Sequence, residues 1–340
     1  MTKKQIKRVL RIVLLIGTIT SMFFVPWILV WAWILPLPNT VQEQVDDAID
    51  HGFDGMIVYV NKAGQPPAYY AAGWHDRKNK VAAYPEALFK IASISKLYVA
   101  VAITKLVNDN RLSLDQTLAY YFPELERRIE NADIITLRMM VQHRSGIPNF
   151  TDHPGFWANQ PESREEILEL ALDLPADFEP GEDYGYSNTN YFLLRELIDK
   201  VVGYSYQKYI KEEILMPLHL NNTYSSLSEV NIEAVMSGYY VGYEDDLKAD
   251  EYGMLATAED VGIFLRALND GSVFNAGEEE IYSSIYVYEH TGWVPGYQSI
   301  AEYHKDIDAV VIQFMNSTGG YNWNLGEIVY SRIVEILRDN

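Results

Sequence analysis

The longest hydrophobic feature lies at the start of the chain, where Ile12 to Leu35 runs for 24 residues without a charge. That length suffices for one helix across a bilayer. Beyond it the pattern becomes periodic. Val41, Val45, Ala48 and Ile49 fall at helical spacing, and Gly52 follows as a stop. Met56 to Val60 is a short β-type run, and Ala68 to Trp74 returns after a turn cluster as a second strand. Leu97 to Val107 is apolar at almost every position, which predicts a buried helix from about Ser93 to Asn108. From there to about residue 270 helices and loops alternate. Ser163 with Glu166 reads as a capping box, Asn190 to Val202 as a helix ended by Gly203, and Thr257 with Asp260 as the cap of another helix. After Gly271 the period shortens. Ile281 to Tyr288, Tyr297 to Tyr303 and Ala309 to Met315 predict a three-stranded antiparallel meander, followed by a helix over Leu325 to Leu337. The predicted fold class is α/β, more narrowly α+β. One antiparallel sheet is built from N- and C-terminal strands and flanked by helices, with an inserted, mostly helical subdomain over roughly 105–270.

Charge divides this picture in two. The 340 residues carry a net charge of −20 and contain no cysteine. Disulfides, zinc–thiolate sites and cysteine nucleophiles are therefore excluded. The acid excess offers no basic patch for nucleic acid. Lys3, Lys4, Lys7, Arg8 and Arg11 stand together without an acid, which leaves −25 on the remainder. A basic flank ahead of an apolar run, with Trp27, Trp31 and Trp33 near its far end, has the pattern of an oriented anchor. It predicts a cytoplasmic flank at 1–11, an uncleaved single-pass transmembrane anchor at 12–35 and an extracytoplasmic domain at 36–340. The run is too long for a signal-peptide core, and Trp-Ile-Leu-Pro-Leu-Pro has no small-residue cleavage site.

Three stretches can carry chemistry. Ser93-Ile94-Ser95-Lys96 opens the apolar helix, so Ser93 and Lys96 sit one turn apart and can share a proton. Taken alone, the tetrad also reads as an N-cap serine followed by a surface lysine. Tyr186 and Asn188, two apart in an extended loop, point to the same side, where a phenol could move a proton and an amide could hold a carbonyl or the lysine. A plain polar turn is the competing reading. His290-Thr291-Gly292-Trp293 ends a predicted strand. A glycine there lets a substrate backbone approach, and the N–H groups of Trp293 and Ser93 could serve as oxyanion donors. His143, before Gly146, reads as structural. No G-x-S-x-G elbow, H-E-x-x-H helix or P-loop occurs.

Together, S-x-x-K at Ser93–Lys96, Y-x-N at Tyr186–Asn188 and H-T-G at His290–Gly292 resemble the motifs of penicillin-recognising serine hydrolases. The likeness is to the class C β-lactamase-like branch, which includes D-alanyl-D-alanine carboxypeptidases, D-amino peptidases and esterases. Further similar phrases occur from about residue 55 to 317, among them Leu112 to Asp115, His143 to Pro148 and Met216 to Leu218. The resemblance implies an acyl-enzyme at Ser93, proton handling by Lys96 and Tyr186, and substrate positioning by Asn188, His290, Thr291 and Gly292. It implies backbone oxyanion donors at Ser93 and Trp293, and neither metal nor cofactor. The sequence departs from the pattern at His290, where many relatives have lysine. A mostly uncharged histidine weakens the grip on a substrate carboxylate. With an acidic cleft expected, this favours D-alanyl esters or peptides of the cell envelope as substrates. The alternatives are a low-efficiency β-lactamase or penicillin-binding carboxypeptidase and, from another class, a non-catalytic envelope scaffold.

Overall fold

The computed structural model describes residues 2–159, 161, 163–250 and 253–339. The N-terminal apolar run is not one helix. Helix α1 (Lys3–Met22) and helix α2 (Trp27–Ile34) meet at an angle of 81°. Pro26 stands at the break. Its ring clashes with the preceding turn and supplies no N–H, and it disfavours helical backbone at Val25. Among the described residues no single helix is long and apolar enough to cross a membrane; the bent pair passes only together, by length and composition. Whereas α1 buries no residue, α2 is tied to the domain behind it. Arg332 donates to the carbonyls of Leu35 and Pro36 at 2.8 and 2.7 Å, and to Gln44 Oε1 at 2.6 Å.

The elements that shape the core follow in order. They are α3 (Val41–Asp50), β1 (Gly55–Lys62), β2 (Ala68–Asp76), β3 (Val81–Ala82), α4 (Ser95–Asn108), α5 (Asn188–Val202) and α6 (Ala258–Asn269). After them come α7 (Glu278–Ser283), β4 (His290–Val294), β5 (Tyr297–His304), β6 (Ala309–Met315) and α8 (Asn322–Asp339). The six strands form one sheet in the order β3-β2-β1-β6-β5-β4, every neighbour antiparallel. The two ends of the domain meet at its centre, where β1 pairs with β6 from Met56 opposite Met315 to Lys62 opposite Ala309.

Both faces of this central pair are covered, so its residues are apolar on both sides rather than alternating with polar ones. Met56, Val58, Val60, Val311 and Met315 pack toward α3 and α8. Ile57, Tyr59, Ile312 and Phe314 pack toward α4, α6 and the helical region. Helix α4 is the axis of that second layer, packing against α5 and α7. It is buried from Ser95 to Leu106.

The expected strand over Ile281 to Tyr288 does not form. Its first part is α7, and the meander begins instead at His290. Glu278, Glu279 and Glu280 suit the positive end of a helix. A tertiary contact completes the choice, because Glu278 pairs at 3.1 Å with Lys105 of α4, both side chains buried. We expect Lys105→Met, which strands Glu278 in the core, to cost about 3–5 kcal/mol in urea unfolding. The double variant Lys105→Met/Glu278→Leu should recover most of that loss.

Candidate active site

From Ala87 to Leu106 only Ser93 is not buried. The strand pair before it creates this exception. Phe89–Lys90 pairs with Leu255–Ala256, and Ile91 N–H donates to Met254 O at 3.1 Å. The chain then turns through Ala92, whose φ of 49° is left-handed although it is not glycine. Such a backbone is strained, and the buried neighbours hold it. The turn lifts Ser93 into a cleft of about 550 Å³ before α4 begins. Across from it stands β4 at the open edge of the sheet, and Gly292 is what allows the approach. A side chain there would meet Ile91 O and Ser299 Oγ at 2.4 Å.

The side chains named from sequence converge here. Ser93 Oγ lies 3.1 Å from Lys96 Nζ and 2.7 Å from the Tyr186 hydroxyl. Lys96 also donates to Asn188 Oδ1 at 2.8 Å. The Asn188 amide is fixed in turn, its Nδ2 donating to Asn149 Oδ1 at 3.3 Å and Thr151 Oγ1 at 3.1 Å. Those two donor bonds decide which end of the amide faces the lysine. Lys96 is almost fully buried, with Tyr186 and Tyr191 rings 4.9 and 5.4 Å away. It has no carboxylate partner among the described residues. Burial, and then the charge of Arg195, hold its amine well below the ordinary lysine range. Burial pushes Tyr186 up to about 12, against the opposing hydrogen bond to Ser93. A neutral amine beside a protonated phenol can pass a proton from Ser93 to a departing group.

His290 and Thr291 line the same cleft, as does Trp293. Both ring nitrogens of His290 are engaged. Nδ1 lies 2.5 Å from Thr291 O, so it carries the proton, and Nε2 lies 3.0 Å from the Tyr286 hydroxyl, which donates to it. Burial, the largest cause and one that any proton on Lys96 reinforces, lowers this histidine to about 4. It presents no positive charge to a substrate at neutral pH. His143 does not touch Ser93. Its ring stacks on Tyr186 and Tyr191, and Nδ1 accepts Ser187 N–H at 3.1 Å, which fixes the loop that carries Tyr186.

The expected acidic cleft is not found among the described residues. Asp152 is an exposed carboxylate on its rim, whereas Arg195 and Lys96 stand inside. Arg195 escaped the sequence reading, although it falls on the same face of α5 as Asn188 and Tyr191, at steps of seven and four residues. The aromatic rim also escaped it. Trp157 meets Trp293 edge to face at 5.6 Å and so bridges the two sides of the cleft. No local motif marks that loop.

A family model described as Beta-lactamase matches residues 37–284, well over half of the chain. The chain belongs to the beta-lactamase family. Among similar proteins, Protein flp of Staphylococcus aureus (strain N315) is 29% identical over 214 residues, 61% of this chain and 42% of that protein. Penicillin-binding protein 4* of Bacillus subtilis (strain 168) is 25% identical over 240 residues, 68% of this chain and 51% of that protein. The chain thus spans about half the length of these curated relatives. The crystal structure of D-amino acid amidase from Ochrobactrum anthropi SV3 superposes with a TM-score of 0.77 at 23% identity, covering 88% of this chain and 98% of that one. A penicillin binding protein from Bacillus halodurans gives 0.74 at 20% identity, covering 88% and 100%. These likenesses show the fold, and the beta-lactamase-like sandwich expected from sequence is the one observed.

The buried histidines give this family member a measurable acid sensitivity. Burial, reinforced by any proton on Lys96, lowers His143 to about 3, while His290 stands near 4. An unfolded histidine titrates near 6.5. Between those values the unfolded chain binds more protons than the folded one, so stability falls as pH falls from about 6.5 toward 4. The urea midpoint should drop over that window, and His143→Gln should make the drop shallower.

Proposed function

We propose that this chain is an extracytoplasmic serine acyl hydrolase that acts on D-alanyl groups of the cell envelope, as esters or peptides. The observation that carries the reading is Ser93 Oγ within 3.1 Å of a buried, carboxylate-free lysine amine and 2.7 Å of a tyrosine hydroxyl. In the reaction the Ser93 proton passes to Lys96 Nζ as Oγ bonds the substrate carbonyl carbon. The N–H groups of Ser93 and Trp293 receive the oxyanion. Collapse breaks the bond to the leaving amine or alkoxide, which takes up the proton through Tyr186. Water then attacks the Ser93 ester by the same relay, releasing the acid and returning the proton to Ser93. Asn188 holds Lys96 in register, and Thr291 with Gly292 forms the wall along which the substrate backbone lies.

The substrate class draws support from the company the fold keeps, which includes a D-amino acid amidase and penicillin-binding proteins. A penicillin-binding or weakly β-lactam-hydrolysing activity is the second reading, favoured by the same relatives. The neutral His290 counts against a firm hold on a β-lactam carboxylate. Intact-mass measurement on wild-type protein should show an acyl adduct with D-alanyl esters or peptides, lost in Ser93→Ala. Tyr186→Phe should lower kcat by about two to four orders of magnitude. Equal release of D-alanine by wild type and Ser93→Ala would sink the proposal. Fluorescent penicillin separates the second reading, since a stable label means a penicillin-binding protein and rapid loss a β-lactamase.

The localisation belongs to the same proposal. We read the N-terminal segment as a single-pass membrane attachment with its basic end inside, supported by the cationic flank and the exposed apolar side chains of α1. Arg332 binds the carbonyls of Leu35 and Pro36, so the attachment, α1 and α2 together, ends where the chain enters the domain. The full chain should sediment with membranes and require detergent for release, while the chain begun at Leu37 should stay in the supernatant. Release of the full chain by high salt alone would count against it.

A further inference from the structure

One cation in the cleft takes part in none of the proton transfers just described. Arg195 lies seven residues beyond Asn188 on α5, about 10 Å along the axis at 1.5 Å per residue. Its side chain leans back toward the start of the helix and lines the cleft. There Nη2 donates to Ser95 Oγ at 3.2 Å, a neutral partner, and the guanidinium stands 5.7 Å from the centre of the Tyr206 ring. Its Nε is buried without a hydrogen-bond partner. In a chain of net charge −20, an arginine without a carboxylate partner among the described residues is unexpected. Its nearest carboxylates in sequence are already committed, because Arg164 pairs with Glu196 at 2.8 Å and Asp199 at 3.2 Å. That pairing ties the 164–169 helix to α5, and Ile167 and Phe192 both line the cleft. Arg195 also raises the cost of a charge on Lys96. A half-buried guanidinium that lines the cleft and has only a neutral hydrogen-bond partner among the described residues can take an anion that enters there.

We propose that Arg195 is an anion-binding residue of the cleft, and that the preferred acyl donor is a D-alanyl compound with a carboxylate on its acyl side. The inference rests on the serine hydrolase reading and sharpens it. Peptide-like donors carrying a carboxylate on the acyl side are favoured over D-alanine esters with a free ammonium. The third motif, with its neutral His290, leaves the opposite requirement open: no cation there selects for a carboxylate on the leaving group.

Two thioesters differing only in that charge test it, N-succinyl-D-alanyl and N-succinamoyl-D-alanyl thioglycolate amide, with kcat/KM measured on the full chain in detergent. Wild type should prefer the succinyl donor by roughly ten- to a hundredfold at low salt, the range of a charge-assisted hydrogen bond to a carboxylate. Added salt should erode the preference. Arg195→Gln should bring the ratio close to one, and Arg195→Lys should keep part of it. A ratio near one in wild type overturns the inference on its own, even if Arg195→Gln fails to fold. So does an unchanged ratio in a folded Arg195→Gln. If wild type forms no Ser93 adduct with either donor, the hydrolase reading fails and this inference falls with it. Hydrolysis of both donors at equal rates removes only the role given to Arg195.

Discussion

The organising constraint of this molecule is a lysine amine taken out of water without a carboxylate to neutralise it. Lys96 is 3% exposed and is held by Ser93 Oγ, Asn188 Oδ1 and two tyrosine rings. Burial of a charged ammonium in such a place is expensive, so the neutral amine is favoured. That preference is what makes the lysine a base. A carboxylate in place of Asn188 would restore the charge and remove the base. The neutral amide oxygen orients Lys96 without doing so.

Keeping that amine dry requires parts from across the chain. Helix α4 supplies the lysine and is buried for three turns on every side. Helix α5 brings Asn188, Tyr191 and Arg195 on one face. The loop at Asn149 and Thr151 fixes the amide, and His143 wedges between the tyrosines that wall the site. The sheet contributes its edge, β4, whose glycine lets the strand come close to the nucleophile turn. Since β4 is positioned through β5 and β6 on β1, the closure of N-terminal on C-terminal strands places half of the cleft.

Where local reading failed, a long-range contact was deciding. The stretch Ile281 to Tyr288 has β-type composition, yet Glu278 is drawn to Lys105 and the segment begins as a helix. The N-terminal run is apolar throughout, but apolarity carries no information about the bend that Pro26 imposes or about Arg332, nearly three hundred residues away, capturing the carbonyls that follow. The mean charge pointed to an acidic cleft. Net charge is a sum over the surface, and a handful of inward-facing groups set the field at the site independently of it.

The sequence by itself determined the β-type runs at both ends, the buried helix at Leu97 to Val107 and the chemical types at Ser93, Lys96, Tyr186 and Asn188. These are properties of periodicity and side-chain inventory, and they survive in one dimension. Only the tertiary structure decided that Lys96 is dry, that His290 is tied on both nitrogens and that Arg195 lines the cleft with no carboxylate partner among the described residues. Those are statements about solvent exclusion and about which groups meet. Both depend on contacts between residues far apart in the chain.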